Sequence, residues 1–453
     1  MSTGVADLVL TGGTIYTLEP NAPIIDRGWI AVRDGRIVGL GADIPPPGRT
    51  TVDCTGDHII PGLVNTHAHL LGSFVRGMGG DRATAVGATP DRPTLAIRLA
   101  MTEADAYAAA RLALVEMQLS GVTATTDSQP AMYGLESQAD GTLRAITESL
   151  MYAVYFRASA DRTEFFPPAH HDQADRAGTE ITRLRSTFHS DRLAVGVEPM
   201  ALHRVSDDLL QSLIDISQAT GSPLAVHGPY SPEAADHPHD GWGDSVIGTL
   251  DRFGALGPAT LIYHPVVVDA RDIGLLADRD AAVSVCTVDN LLIGSPIAPL
   301  TALVRNGVRV GLGLDQPNDG HDMFQLMKFT LLTQRHEAAR EDWMDPDDML
   351  ALATRQGGAV LRADIGVIAV GQWADLVVLD GKHPTMQPRQ SAASNLVLTA
   401  GPQTITWVYT KGIRTVERGR HMLWDQDEVV EAATRAMRNC LQRAGLGDAT
   451  WTR

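Results

Sequence analysis

Apolar positions along the chain change their spacing, and each change marks a different kind of structure. Over the first sixty residues they alternate with polar ones in short runs, "ADLVLTGGTIYTL", "GWIAVRDGRIVGLG" and "TTVDCTGDHIIPG". A period of two, broken by glycine-containing turns such as "RDGR", predicts short strands joined as hairpins. The same texture returns late, in "GQWADLVVLD" and "TITWVYTKGIRTVERGRHM". Two β-rich flanks around a long middle suggest one small sheet domain assembled from both ends of the chain. In that middle, apolar runs of strand length ("LVNTHAHL", "GVTATTD", "LAVGVEPM", "PLAVHG", "TLIYHP", "AAVSVCTV", "VRVGLGLD") alternate with amphipathic stretches such as "EADAYAAARLALVEMQLSG", "DDLLQSLIDISQATG" and "DMFQLMKFTLLTQRHEAAR". Repeated strand–helix units predict an α/β fold with a parallel sheet or a (β/α)8, TIM-like barrel. Asp427 to Leu441 has helical periodicity and reads as a separate terminal helix. Neither a low-complexity linker nor coiled-coil heptads are evident.

Composition narrows the classes without choosing among them. At 453 residues, 44% hydrophobic and 20% charged, the chain is a folded globular protein of one large or two ordinary domains. A net charge of -17 favours solubility and argues against nucleic acid or an anionic membrane surface as partner. Cys54, Cys286 and Cys440 form no CxxC pair, which suits a reducing compartment and no disulfide framework. The N-terminal "MSTGVADLVLTGG" lacks the basic and apolar regions of a signal peptide, and no uncharged run is long enough to span a bilayer. A cytoplasmic enzyme is the expectation.

Candidate chemistry sits where the apolar runs end. His67 and His69 close "PGLVNTHAHL", His227 closes "LAVHG", His264 closes "LIYHP" and Asp315 closes "GLGLD". In a barrel, chemistry gathers at the C-terminal ends of the strands. Residues i and i+2 of a strand share a face, so His67 and His69 can hold one ion together. A lone histidine of this kind is usually a hydrogen-bonded interior side chain. Four histidines and an aspartate, all ending strands, point instead to a site for Zn²⁺ or a similar divalent ion such as Fe, Co or Mn, with a position left open for water.

"PGLVNTHAHL", "LIYHPVVVD", "GVRVGLGLD" and "GVIAVGQWADLVVLD" resemble the amidohydrolase superfamily. The closer likeness is to its branch of triazine hydrolases, chlorohydrolases and nucleobase or amidine deaminases, over essentially the whole chain. That resemblance implies a metal-dependent hydrolase barrel over 61–361, a composite β-sandwich from 1–60 and 362–425, and a C-terminal helix in 426–453. It also implies His67, His69, His227 and Asp315 as metal ligands. His264 would orient the attacking water or polarise the substrate, and Asp315 would carry the water's proton to the leaving group. Some superfamily members bridge two metals with a carboxylated lysine on the fourth strand. Here the only lysines are Lys328, Lys382 and Lys411, so one ion per chain follows, most simply zinc. The implied reaction is attack by a metal-bound hydroxide on a C–N bond of a small cyclic or heteroaromatic molecule, as deamination or amide-type hydrolysis. The alternative is hydrolytic loss of chloride or another leaving group from an activated ring. A non-catalytic binding protein is the reading from a different class, and the complete set of five residues argues against it. Relatives commonly form homodimers or higher homo-oligomers.

The pattern breaks in three places. Ring deaminases of this branch carry a glutamate three residues after the fifth-strand histidine, to protonate a ring nitrogen; here Tyr230 stands there. Tyr230 either donates a hydrogen bond to a substrate carbonyl or shapes an apolar wall. "EPMALHRVS" resembles the family's fourth-strand motif, with Met200 in place of its histidine, and it includes His203. Glu198 shares the strand parity of Met200, so it either points inward as a displaced acid or is kept out by Pro199. "CTVDN" stands at the seventh-strand motif and ends in Asn290. Tyr230, Met200, Glu198, His203, Gln129 and Asn290 are the candidate substrate contacts, with Asp127 read as structural or supporting. "FVRGMGGDRATAVGATPDRP" should border the pocket, and "YSPEAADHPHDGWGDS", with His237, His239 and Trp242, is either a substrate lid or a solvated loop.

Overall fold

The computed structural model describes residues 5–77, 93–162, 166–230, 245–316, 320–388 and 391–447. It divides into two compact units: Met1–Asn65 with Val115–Ala124 and His321–Gln426, and Thr66–Leu114 with Thr125–Gly320 and Asp427–Arg453.

The first unit contains a mixed sheet of nine strands drawn from both chain ends. Ala6–Ile15 pairs antiparallel with Ile25–Arg33, which pairs antiparallel with Arg36–Gly41. The turn between the last two places Asp34 at φ +51° and Gly35 at φ +75°. Left-handed backbone at both central residues is what a tight hairpin needs, and the Asp-Gly of "RDGR" supplies it. Within the first sixty residues the hairpin expectation stops there, whereas Ile405–Thr410 and Ile413–Glu417 form a second hairpin around Lys411 and Gly412. Gly48–Asp53 and His58–Pro61 both run parallel to Ala6–Ile15, as two segments along one edge interrupted by a turn. Leu376–Leu379 pairs antiparallel with His58–Pro61 and joins the late strands Ile405–Thr410, Ile413–Glu417 and Arg420–His421 to the early ones. Leu8, Leu10, Ile30, Ile59, Leu376 and Val378 are buried together at its core.

The barrel is an eight-stranded sheet in chain order: β1 Leu63–Val64, β2 Val122–Pro130, β3 Tyr152–Ser159, β4 Leu193–Pro199, β5 Leu224–His227, β6 Thr260–Tyr263, β7 Ala282–Val285 and β8 Arg309–Leu312. β6 and β7 are buried at every position, as strands of a parallel sheet covered on both faces must be. The last strand closes onto the segment that follows the first. Thr66 N–H donates to Leu312 O at 2.9 Å, Asp315 N–H donates to His67 O at 2.9 Å and His69 N–H donates to Asp315 O at 3.2 Å. Glycines make that approach possible: a Cβ on Gly311 would lie 2.4 Å from Thr66 Cγ2, and one on Gly313 2.8 Å from His67 Cβ. The apparently plain "GLGLD" is therefore shaped by its contact with the two histidines.

The expected helices form at Glu103–Leu119, Asp207–Thr220 and Met323–Ala338. Asp207–Thr220 shows why its boundaries fall where they do. The Ser206 hydroxyl caps its start by accepting from Leu209 N–H, and Gly221 ends it at φ +64°. The terminal helix spans Gln426–Arg443 and buries Ala433, Cys440 and Leu441 against Ala106 and Ala109. All three cysteines are buried and free. Among the described residues, no helix is long and apolar enough to cross a membrane.

Candidate active site

His67 and His69 flank Ala68, which bridges to Asp315. His227 is the last residue of β5, and His264 follows β6 directly. Both His264 and Asp315 adopt left-handed backbone, φ +52° and +58°. This is a sparsely populated region that His and Asp enter more readily than most residues, and strain of this kind is characteristic of functional sites. The result is convergence. Asp315 Oδ1 lies 3.3 Å from His67 Nε2 and 3.2 Å from His69 Nε2, while Oδ2 lies 3.1 Å from His264 Nε2. The His227 ring stands 5.0 Å from that of His67 and 5.5 Å from that of His69, centroid to centroid. Potential ligand atoms of His67, His227 and His264 lie within 4.8 Å of one another, as do those of His67, His69 and Asp315.

The outer nitrogens explain why the inner ones face inward. His69 Nδ1 meets Ser128 O at 2.7 Å, and His227 Nδ1 meets Met200 O at 3.0 Å. A carbonyl oxygen only accepts, so in both rings Nδ1 carries a proton, and that bond turns Nε2 toward the site. His264 Nδ1 meets Asn290 Oδ1 at 2.8 Å, which directs its Nε2 to Asp315 in the same way. His67 is fully buried and stacks on Tyr263 with 3.7 Å between centroids.

Burial pushes His67 down to about 3 and His227 well below the ordinary imidazole range, so both are neutral at neutral pH. Burial opposes a charge on Asp315, yet its carboxyl is held well below the usual carboxylate range by His264 and His67. Because His67 is itself neutral, His264 carries this effect. Against its own burial, His264 is raised well above the usual range by Cys286 and Asp315. The site therefore combines neutral nitrogen donors with an ionised carboxylate. Donor atoms about 3.3 Å apart are also the edges of a tetrahedron with metal–ligand bonds near 2.0–2.1 Å. The donor set fits a divalent metal.

The remaining candidates divide between those that support this cluster and those placed away from it. Glu198 is completely buried on β4, with Oε1 3.0 Å from His227 Nδ1 and 2.9 Å from Ser128 Oγ. Asn290 is buried in the short helix Thr287–Leu292 and touches His264. The Met200 side chain is buried with Met132, Ala158, Ala160 and Phe166 in an apolar cluster. Gln129 is buried on β2, and its carboxamide meets no hydrogen-bond partner among the described residues. Tyr230 is half-buried and interacts electrostatically with Arg204. His203 is exposed on the turn Leu202–Arg204, where its Nε2 accepts from Arg204 Nε at 3.1 Å. Asp127 supports the entry to the site by accepting from Leu70 N–H at 2.8 Å, and burial pushes its carboxyl up to about 6. His237, His239, Trp242 and most of the glycine-rich segment after the first strand lie outside the described residues.

Sequence reasoning missed Ser128 and Tyr263. Ser128 follows the quoted "GVTATTD" directly, between Asp127 and Gln129, and Tyr263 immediately precedes His264; only the position beside a candidate residue could have flagged either one. The Asn290 contact yields a prediction: Asn290→Ala removes the group that holds the His264 ring in orientation, and kcat should fall about 10- to 100-fold with metal content unchanged. Steady-state kinetics alongside metal analysis of the variant would check this.

A profile of the amidohydrolase family matches residues 58–414. The chain belongs to the amidohydrolase family. It is a hydrolase of the carbon–nitrogen class within that family. A 5'-deoxyadenosine deaminase of Methanosarcina mazei is 26% identical over 441 residues, covering 97% of this chain and 99% of the other. The fold matches a zinc-bound adenosine deaminase from Xanthomonas campestris, with a TM-score of 0.83, 23% identity and coverage of 96% and 99%. It also matches atrazine chlorohydrolase from Arthrobacter aurescens TC1 in complex with zinc, with a TM-score of 0.89, 22% identity and coverage of 95% and 100%. His67, His69, His227, His264 and Asp315 all fall inside the matched span.

Proposed function

We propose that this amidohydrolase is a mononuclear, zinc-dependent aminohydrolase that releases ammonia from an adenosine-like nucleoside or a related heteroaromatic amine. The observation that carries the reading is the convergence of His67, His69 and His264 Nε2 on the two oxygens of Asp315, at 3.1–3.3 Å. His67, His69, His227 and Asp315 would hold the ion. Bound there, a divalent metal supplies Lewis acidity and makes water a competent nucleophile near neutral pH. Asp315, ionised and buried, accepts the proton of the attacking water and returns it to the departing nitrogen. His264, held at Nδ1 by Asn290 and facing Asp315 through Nε2, directs its Nε2 edge to the oxygen or nitrogen where negative charge develops. The relatives named as adenosine-type deaminases support the substrate class.

Tyr230 favours a second reading. With no carboxyl three residues after His227, protonation of a ring nitrogen must come from elsewhere, whereas an activated ring that loses chloride needs no such acid. The two readings part in one assay. Purified enzyme incubated with 5'-deoxyadenosine, adenosine and methylthioadenosine should release stoichiometric ammonia, with the shift in ultraviolet absorbance that accompanies loss of the purine amine. Chloride release from chlorinated triazines without ammonia from any nucleoside would replace the first reading with the second.

A further inference from the structure

We propose that Glu198 is a positioning residue: with Ser128 it forms a buried bracket that fixes the His227 ring and thereby sets the affinity of the metal site. The inference rests on the metal-dependent reading above.

Glu198 stands on β4 with no solvent exposure. A single oxygen, Oε1, accepts from Ser128 Oγ–H at 2.9 Å and lies 3.0 Å from His227 Nδ1. The proton of that Nδ1 goes to Met200 O, also at 3.0 Å. Ser128 does more than hold the carboxyl, because its carbonyl accepts from His69 Nδ1 at 2.7 Å. One residue of β2 thus reaches two proposed ligands, His69 directly and His227 through Glu198. The bracket meets His227 at Nδ1, the nitrogen on the opposite side of the ring from the lone pair offered to a metal. Glu198 therefore acts on the ion through His227.

An apolar side chain would fill this position without the cost of burying a carboxyl, so a merely space-filling role does not explain the residue. Hydrogen bonds to the outer nitrogen of a ligating histidine fix the ring and its tautomer, and removing such a partner typically weakens metal binding 10- to 100-fold. Met200 O would keep the tautomer of His227 in a Glu198 variant. What is lost is the second anchor that restrains rotation of the ring. The group required is an oxygen that accepts from Ser128 Oγ–H and lies against His227 Nδ1, and a glutamine carboxamide can supply one.

The test is zinc affinity of the full-length protein, stripped of metal and titrated against a chromophoric chelator. Glu198→Ala should bind zinc about 10- to 100-fold more weakly than wild type, while Glu198→Gln should stay within about threefold. Ser128→Ala should fall between them. The visible absorption of the cobalt-substituted protein should change in band position or intensity for Glu198→Ala and be restored in Glu198→Gln, a signature that simple destabilisation would not produce. Wild-type affinity in Glu198→Ala overturns the proposal, and so does an equal loss in Glu198→Gln and Glu198→Ala. Should Glu198→Ala fail to fold, as judged by circular dichroism of the metal-free protein, Ser128→Ala decides: unchanged affinity overturns the bracket. Failure of the wild-type protein to bind zinc would instead overturn the metal-dependent reading itself.

Discussion

Asp315→Asn is expected to lower kcat by about 10³-fold or more while the protein remains folded. Asparagine has nearly the same shape and keeps an oxygen facing the histidines, but it cannot take a proton. In the native site both carboxylate oxygens are engaged, Oδ1 facing His67 and His69 and Oδ2 facing His264. The substitution therefore removes the proton carrier and the negative charge that faces His264 Nε2. Some metal should be retained on the three remaining imidazoles. Single-turnover kinetics with metal analysis would check this, and a kcat within about tenfold of wild type would remove Asp315 from the proton-transfer step.

His67→Ala should fail differently. Its ring is completely buried, stacks on Tyr263 and lies within 5.5 Å of the rings of His69, His227 and His264, centroid to centroid. No neighbour can swing into its place, because His69 is held by Ser128 O and His227 by Met200 O and Glu198. Metal content should fall from about one ion per chain to near zero, and activity should disappear with it. Removing a buried ring also leaves a cavity, so the metal-free protein should lose about 2–4 kcal/mol of stability. Equilibrium unfolding of the metal-free proteins isolates that loss from the contribution of the ion. The pair of variants separates holding the ion from using it: inactive with metal for Asp315→Asn, inactive without metal for His67→Ala.

Much of this site was legible because strand ends are legible. An apolar run that stops on His or Asp announces both the strand and the end that carries chemistry, and His67, His69, His227, His264 and Asp315 all come together as that pattern implies. The helix Asp207–Thr220 was equally open to reading, since Leu209, Leu210, Leu213 and Ile214 recur at helical spacing and its ends carry a serine cap and a glycine. What could not be read were contacts between side chains distant in sequence. Ser128 and Glu198 are 70 residues apart, and strand parity alone left Glu198 undecided between facing a substrate and facing away. Its hydrogen bond from Ser128 and its 3.0 Å approach to His227 Nδ1 depend on the stagger of β2, β4 and β5, which no single strand encodes. Asn290 reaches His264 only because the chain turns into a helix straight after β7. The parallel pairing of Gly48–Asp53 with Ala6–Ile15 was hidden for a similar reason: period-two alternation predicts a strand but is silent about the direction of its partner.

The measurement that tests the account most directly is the metal content of the purified full-length protein, taken by inductively coupled plasma mass spectrometry before and after incubation with excess zinc and gel filtration. The arrangement of His67, His69, His227 and Asp315 predicts about one divalent ion per chain, removed by a chelator together with hydrolase activity and restored with it. A protein that holds no divalent ion after loading, yet remains an active hydrolase, would contradict the account at its centre.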